Sequence, residues 1–273
     1  MFSPALEAEL EAELHRGGAE YTVILDDTRQ RITATTAEPF RHVCQITASL
    51  PDANRGGAWT TWIGSGTLVA PNKVLTAGHV IYDRGYQVFA RNVRVAPGKV
   101  DAGTGPRQEP YGSAVASRLD VTPTYRSTTA SQDVVEANDY AVITLAQRIS
   151  DRRPRDRTLG TSPLGWWRQL RAASDALLRG RQINNAGYPV DRTNGDRMYH
   201  AYNRVASTTA HRLSYVNDTF GGQSGGPVWL RWQNSRILVG VHTAGFLPGQ
   251  PQQNSGVRLN ATNLAVIRTW LRA

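Results

Sequence analysis

The sequence predicts an all-β fold, an antiparallel barrel or sandwich, and three observations point to it. From residue 40 onward the chain is a series of short β-rich runs separated by Gly, Pro and Asn. Helical periodicity is clear only at the two ends, and strands do not alternate with helices as they would in a parallel α/β sheet. The chain has 273 residues, 40% of them hydrophobic, a size that fits one large all-β domain or two small packed ones.

The elements follow in order. Residues 4–15 place Leu6, Leu10 and Leu14 on one helical face, with Ser3 and Pro4 as a start signal and Gly17-Gly18 as a stop. The β-rich runs are Val43 to Leu50, Gly66 to Ala70, Val74 to Thr76, Tyr140 to Leu145, Arg181 to Gly187, Val228 to Arg231 and Ile237 to Thr243. Polar Arg152 to Leu159, with Pro154, reads as a linker between two halves, and Trp166 to Leu178 as a helical turn or two. Residues 260–273 read as a terminal helix with Leu264, Ile267 and Leu271 on one face. No internal repeat is visible.

Composition excludes several classes of function. The net charge of +9 rests on 29 arginines and only two lysines, Lys73 and Lys99. The arginines are spread along the chain among acids, which argues against a nucleic-acid binder while favouring acidic partners or substrates. No apolar run approaches the roughly 18 residues of a membrane span. The single cysteine, Cys44, allows neither an intrachain disulfide nor a thiolate metal cluster, and is expected to be a small buried residue. Glutamates occupy the N-terminus where a Sec leader would be apolar, so the protein is expected inside the cell or exported by a non-Sec route, with secretion as the alternative. Residues 1–22 hold five acids and one base, a net −4 that leaves +13 on the remainder, so an acidic arm precedes a basic body.

Three segments carry chemistry. In Gly66 to His79, two strands joined by a Pro-Asn turn deliver His79 directly after small residues, leaving room beside the ring for a partner; histidine is the natural general base near neutral pH. In Asn138 to Leu145, Asp139 stands at the mouth of an apolar strand, where a carboxylate can be buried against that ring; Asp133 and Glu136 are nearby alternatives, but no apolar strand directly follows either. In Asp218 to Trp229, glycines flank Ser224, so the amides of Gly222 and Ser224 can point at one spot with the hydroxyl, an oxyanion hole with its nucleophile. A strand follows this serine, unlike the helix after an α/β-hydrolase elbow. The order His, Asp, Ser in an all-β chain is that of the chymotrypsin arrangement.

Thr76-Ala77-Gly78-His79, Asn138-Asp139-Tyr140-Ala141 and Gly222-Gln223-Ser224-Gly225-Gly226-Pro227 together resemble the three signatures of trypsin-like serine proteases. Gln223 departs from the aspartate of most animal trypsins and is similar to the bacterial glutamyl endopeptidase branch. Val23 to Asp27 through Arg31 to Thr36, Gly187-Tyr188-Pro189 and Gly240 to Gly245 lean the same way, so the resemblance runs from about Val23 to the C-terminus.

The resemblance implies two six-stranded antiparallel β-barrels, about 40–150 and 160–258, with the C-terminal helix at 260–273 and residues 1–22 as an acidic helical arm or propeptide before a 23–273 protease domain. His79, Asp139 and Ser224 would form the triad, and neither a cofactor nor a metal would be needed. The substrate would be a protein or peptide, acidic at P1, met by a monomer, with the arm as its possible inhibitor. In that branch a hydroxyl residue and a histidine bind the P1 carboxylate, which carries over to Thr219 and His242, with Thr243 and Gly245 beside them. The new α-amino group near Val23 is expected to assist. Asp218 opposes this reading, because it stands where trypsin has its arginine-selecting aspartate; arginine or small-residue specificity is the rival, and an inactive binding module the rival from another class.

Overall fold

The computed structural model describes residues 23, 24, 26–245 and 252–273. The β-rich runs of the first half lie in β2 (Val43–Asp52), β3 (Ala58–Ala70), β4 (Lys73–Thr76) and β9 (Ala141–Leu145), and the structure adds β7 (Arg91–Pro97) and β8 (Ala114–Val121), after the two-residue β1 (Gln30–Arg31) and around the small hairpin β5 (Tyr82–Asp83) and β6 (Val88–Phe89). Six of these strands close into a barrel in the order β2-β3-β4-β9-β8-β7, every pair antiparallel. Its interior is filled by Ile46, Leu68, Val74, Val95 and Ile143.

The second half supplies β10 (Gln182–Gly187), β11 (Tyr199–Thr208), β12 (Arg212–Tyr215), β13 (Pro227–Trp232), β14 (Ser235–Ala244) and β15 (Asn254–Arg258). They run β11-β10-β13-β14-β15-β12, and pairing of β11 with β12 closes the second barrel, with β1 added alongside β11. Ile183, Leu213, Val228, Leu230, Ile237 and Val239 fill this core. Closure removes the exposed edges that long antiparallel sheets must otherwise protect.

Strands beyond the apolar runs account for most of the difference from the sequence reading. β7, β8, β11, β12 and β15 carry many polar residues, so no long apolar run marks them, and tertiary pairing selects the strand. The stretch expected to be a helical turn or two is helical only at Asp175–Leu178. Upstream it runs extended: Leu170 bridges to Leu238, and the Trp167 indole donates to the Arg236 carbonyl at 3.1 Å. The expected arm helix at 4–15 lies outside the described residues. The C-terminal helix, Ala261–Arg272, begins with Asn260 and Asn263 capping each other's backbone N–H and buries Leu264 and Ile267. Its Trp270 meets the Tyr140 ring at 5.8 Å, directly beside Asp139.

The barrels are pinned to each other by polar contacts. Gln45 donates to the Gly195 carbonyl at 2.6 Å, Lys99 bridges Gln45 and Asp196, and the Tyr188 hydroxyl donates to the Lys99 carbonyl. Cys44 is fully buried, which pushes its thiol well up. His42 and His200 are also sequestered, the first on the Leu164 carbonyl at 2.9 Å, the second on Asn184 and stacked against Trp229.

Burial lowers both imidazoles from the usual 6.5 to about 4. The folded state keeps these rings neutral while the unfolded chain protonates them at about 6.5, so stability is full above that pH and falls as pH drops toward 4. The loss is on the order of 3 kcal/mol for each ring at the acid end. Tm is therefore expected to decline between pH 6.5 and 4, and less steeply in His200→Phe; a flat profile in wild type would contradict the burial argument.

Candidate active site

The cleft lies where the two barrels meet. β4 ends at Thr76, and a short helix, Gly78–Ile81, turns His79 into the cleft. Its Nδ1–H donates to Asp139 Oδ2 at 2.7 Å, and its backbone N–H donates to Asp139 Oδ1 at 3.0 Å, so one carboxylate holds both the ring and the main chain. Asp139, only 8% exposed, stands just ahead of β9, which pairs with β4 through Thr76 and Ala141 and so brings the two residues together. Gly78 permits the approach: a Cβ there would lie 2.9 Å from Asp139 Oδ1 and from the Tyr125 ring. Asp133 and Glu136 sit elsewhere, on a helix spanning Gln132–Ala137, where Glu136 pairs with Arg212.

Ser224 comes from the second barrel, ahead of β13, and its loop is fastened on both sides. Ser65 of β3 donates its N–H to the Ser224 carbonyl at 2.8 Å and its hydroxyl to the Gly222 carbonyl at 2.7 Å. Gly225 N–H donates to the His242 carbonyl at 2.7 Å. Gly222 has φ +91° and Gly225 φ +85°, values that favour glycine, and a Cβ on Gly225 would sit 2.1 Å from the Ser65 carbonyl and the Thr76 hydroxyl. His79 and Ser224 line one pocket, whose other walls are Leu50, Trp62, Ile63, Gly64 and Val80.

Gln223 is fully buried and braces the same loop: its Oε1 accepts from Phe220 N–H at 3.0 Å, and its Nε2 donates to Asn185 Oδ1 at 3.1 Å. The glutamine before the serine is thus a neutral strut where a carboxylate would need a cation.

Thr219 and His242 have no exposed surface, and Thr243 has 4%. The hydroxyls of Thr219 and Thr243 meet no hydrogen-bond partner among the described residues. Buried hydroxyls left without partners are uncommon in native interiors and are expected where a ligand or water completes them. His242 Nδ1 lies 2.7 Å from the Tyr215 hydroxyl. Gly245, half-buried, follows the end of β14.

Asp218 is 1% exposed and both its oxygens are taken. Oδ1 accepts from Ile24 N–H at 2.6 Å; Oδ2 accepts from Thr28 N–H at 2.8 Å and from the Thr28 hydroxyl. The carboxylate is an anchor for Ile24 and Thr28, a role that no local sequence signal announces. The anchored segment continues into Arg29, whose guanidinium reaches Asp27 and Asp191 and lies over the Phe220 ring. That arginine holds the Asp27 carboxyl well below its usual range. Sequence reasoning also missed Ser65, Asn185 and Tyr215, ordinary-looking strand residues whose partners are remote in the chain.

Two closed barrels with a histidine, a carboxylate and a serine at their junction define a class, and comparison with known proteins agrees. The Trypsin family profile matches residues 34–271, and the chain belongs to that family. It is a trypsin-family serine endopeptidase that acts on protein or peptide substrates.

Among curated relatives, a glutamyl endopeptidase of Bacillus licheniformis is 30% identical over 254 residues, covering 91% of this chain and 69% of its own. A Bacillus subtilis protein named as an extracellular metalloprotease is 28% identical over 250 residues, with the same coverage. A solved Glu endopeptidase in complex with MPD superposes with a TM-score of 0.71 at 29% identity, covering 92% of this chain and all of its own. Protease Anisep from Arthrobacter nicotinovorans, at 20% identity, shares the fold with a TM-score of 0.66 over 90% of this chain and all of its own. Among the described residues no group of three or more His, Cys, Asp or Glu side chains comes together as a metal-ligand set.

Proposed function

We propose that this protein is a glutamyl endopeptidase working through a Ser224–His79–Asp139 triad. The observation that carries the reading is the two-point grip of Asp139 on His79, through Nδ1–H at 2.7 Å and the backbone N–H at 3.0 Å, beside a cleft wall shared with Ser224. Asp139 keeps the proton on Nδ1, which leaves Nε2 as the basic nitrogen of the neutral ring. Nε2 takes the proton of Ser224 Oγ as the oxygen attacks the scissile carbonyl. The N–H groups of Gly222 and Ser224 hold the oxyanion, and the proton passes to the leaving amine as the acyl-enzyme forms. Water, activated by the same imidazole, releases the acid product.

Thr219 and His242 form the P1 clamp, with Thr243 and Gly245 lining the approach. Hydroxyl and imidazole donors suit a carboxylate. The engagement of Asp218 by Ile24 and Thr28 supports glutamate over arginine, since a carboxylate receiving three hydrogen bonds is poorly placed to pair with a substrate guanidinium. The anchoring of Ile24 and Thr28 also supports a mature chain that starts near Val23; the acidic arm is then a product-like inhibitor of a monomeric enzyme.

The test is a P1 profile on a mixed peptide library, for the full-length chain and for one starting at Val23. Cleavage after glutamate, stronger in the shorter form, is expected. Cleavage after arginine would return Asp218 to the pocket, and equal activity of the two forms would remove the inhibitory role of the arm. His242→Ala is expected to lower kcat/KM on glutamyl peptides by about 100-fold or more while Ser224 still reacts with a fluorophosphonate. Unchanged glutamyl cleavage would refute the clamp.

A further inference from the structure

His242 has a neighbour that the triad and clamp do not use. Tyr215 stands on β12 and His242 on β14, with β15 between them and Gly256 of β15 opposite His242. The two rings lie 6.0 Å apart, both without exposed surface, and the phenolic oxygen is 2.7 Å from Nδ1. Among the described residues the Tyr215 hydroxyl has no other hydrogen-bond partner. Were Nδ1 the donor, the phenolic proton would be buried without an acceptor, an unfavourable outcome in a dry interior. Arg212, three residues before Tyr215, donates to Glu136 and Ser255, and its guanidinium, all donors, supplies no acceptor.

We propose that Tyr215 is the positioning residue of the P1 pocket: its O–H donates to His242 Nδ1 and holds the ring as the neutral tautomer that carries its proton on Nε2. The inference rests on the assignment of His242 to the P1 clamp and adds the reason that the histidine acts as a donor. A ring free to place its proton on Nδ1 presents a lone pair at Nε2, which repels a carboxylate. Burial pushes the phenol well above its usual range, so the donor stays protonated throughout the working range of a protease. The clamp then binds glutamate by a directed hydrogen bond from a neutral imidazole and needs no imidazolium.

The experiment has two arms. In ¹⁵N-histidine-labelled protein, with the His242 signals assigned by their loss in His242→Gln, His242 is expected to be protonated on Nε2 at pH 7. A proton on Nδ1 would overturn the proposal. In Tyr215→Phe, KM for glutamyl peptides is expected to rise about tenfold or more with a smaller change in kcat. The rate of Ser224 labelling by a small fluorophosphonate lacking a P1 side chain should follow wild type and show the variant to be folded. An unchanged KM in that folded variant would overturn the positioning role even where glutamate preference stands. An Nε2–H tautomer in a wild-type enzyme with no glutamate preference would instead refute the clamp and uphold the tautomer lock.

Discussion

Ser224→Ala is expected to lower kcat on peptide substrates by about 10⁶-fold while leaving the fold intact. The alanine has no oxygen with which to form the acyl-enzyme, and His79 then has no proton to take. The backbone of the loop does not depend on the hydroxyl: the Ser224 carbonyl accepts from Ser65 N–H, and Gly225 N–H still reaches the His242 carbonyl. Thermal unfolding should therefore match wild type, and fluorophosphonate labelling should vanish. Turnover within tenfold of wild type would place the nucleophile elsewhere.

Asp139→Asn comes next in size, at about 10⁴-fold in kcat near neutral pH. The argument lies in the two bonds of the carboxylate. One oxygen accepts the backbone N–H of His79 and the other accepts Nδ1–H. Asparagine has a single oxygen. Kept on the backbone N–H, it turns the amide NH₂ toward Nδ1, which must then accept, so the ring proton moves to Nε2, where the base is needed. Turned the other way, two donors confront each other at the main chain. The first arrangement, which satisfies both donors, is favoured, and it leaves His79 unable to receive the Ser224 proton in its resting tautomer. The variant should still bind glutamyl peptides, because Thr219 and His242 are unchanged, so the loss should fall on kcat. A fall of less than tenfold would show that Asp139 does not set the tautomer.

Much of the fold was legible, in places where local pattern and burial coincide. β2, β4, β9, β13 and β14 are rich in apolar residues because each has a face turned into a barrel. β8 and β11 were not, since much of each strand faces solvent without strict alternation and residues such as Arg118, Asp120, Asn203 and Arg204 read as loop. The Trp166–Leu178 stretch misled for a related reason. Its apolar residues are spaced as on a helix, but Trp167 and Leu170 meet β14 individually from an extended chain.

The residues of the candidate site divide along the same line. Chemistry that depends on a nucleophile, a base, a carboxylate and small neighbours is written in short motifs, because the conformation each one needs, a tight turn or a missing Cβ, is imposed by residues a few positions away. His79, Asp139 and Ser224 could be named on that ground, together with the glycines that make room for them. The duties of Asp218, Gln223 and Tyr215 could not, because each is set by a partner brought in by barrel closure or loop packing. Asp218 meets Thr28 across 190 positions, Gln223 meets Asn185 across 38, and Tyr215 meets His242 across 27. An aspartate six residues before the serine looks the same in one dimension whether it faces a substrate or a buried backbone N–H. Folding separates those cases by supplying the donors, since a buried carboxylate must be paired wherever the chain places its partners.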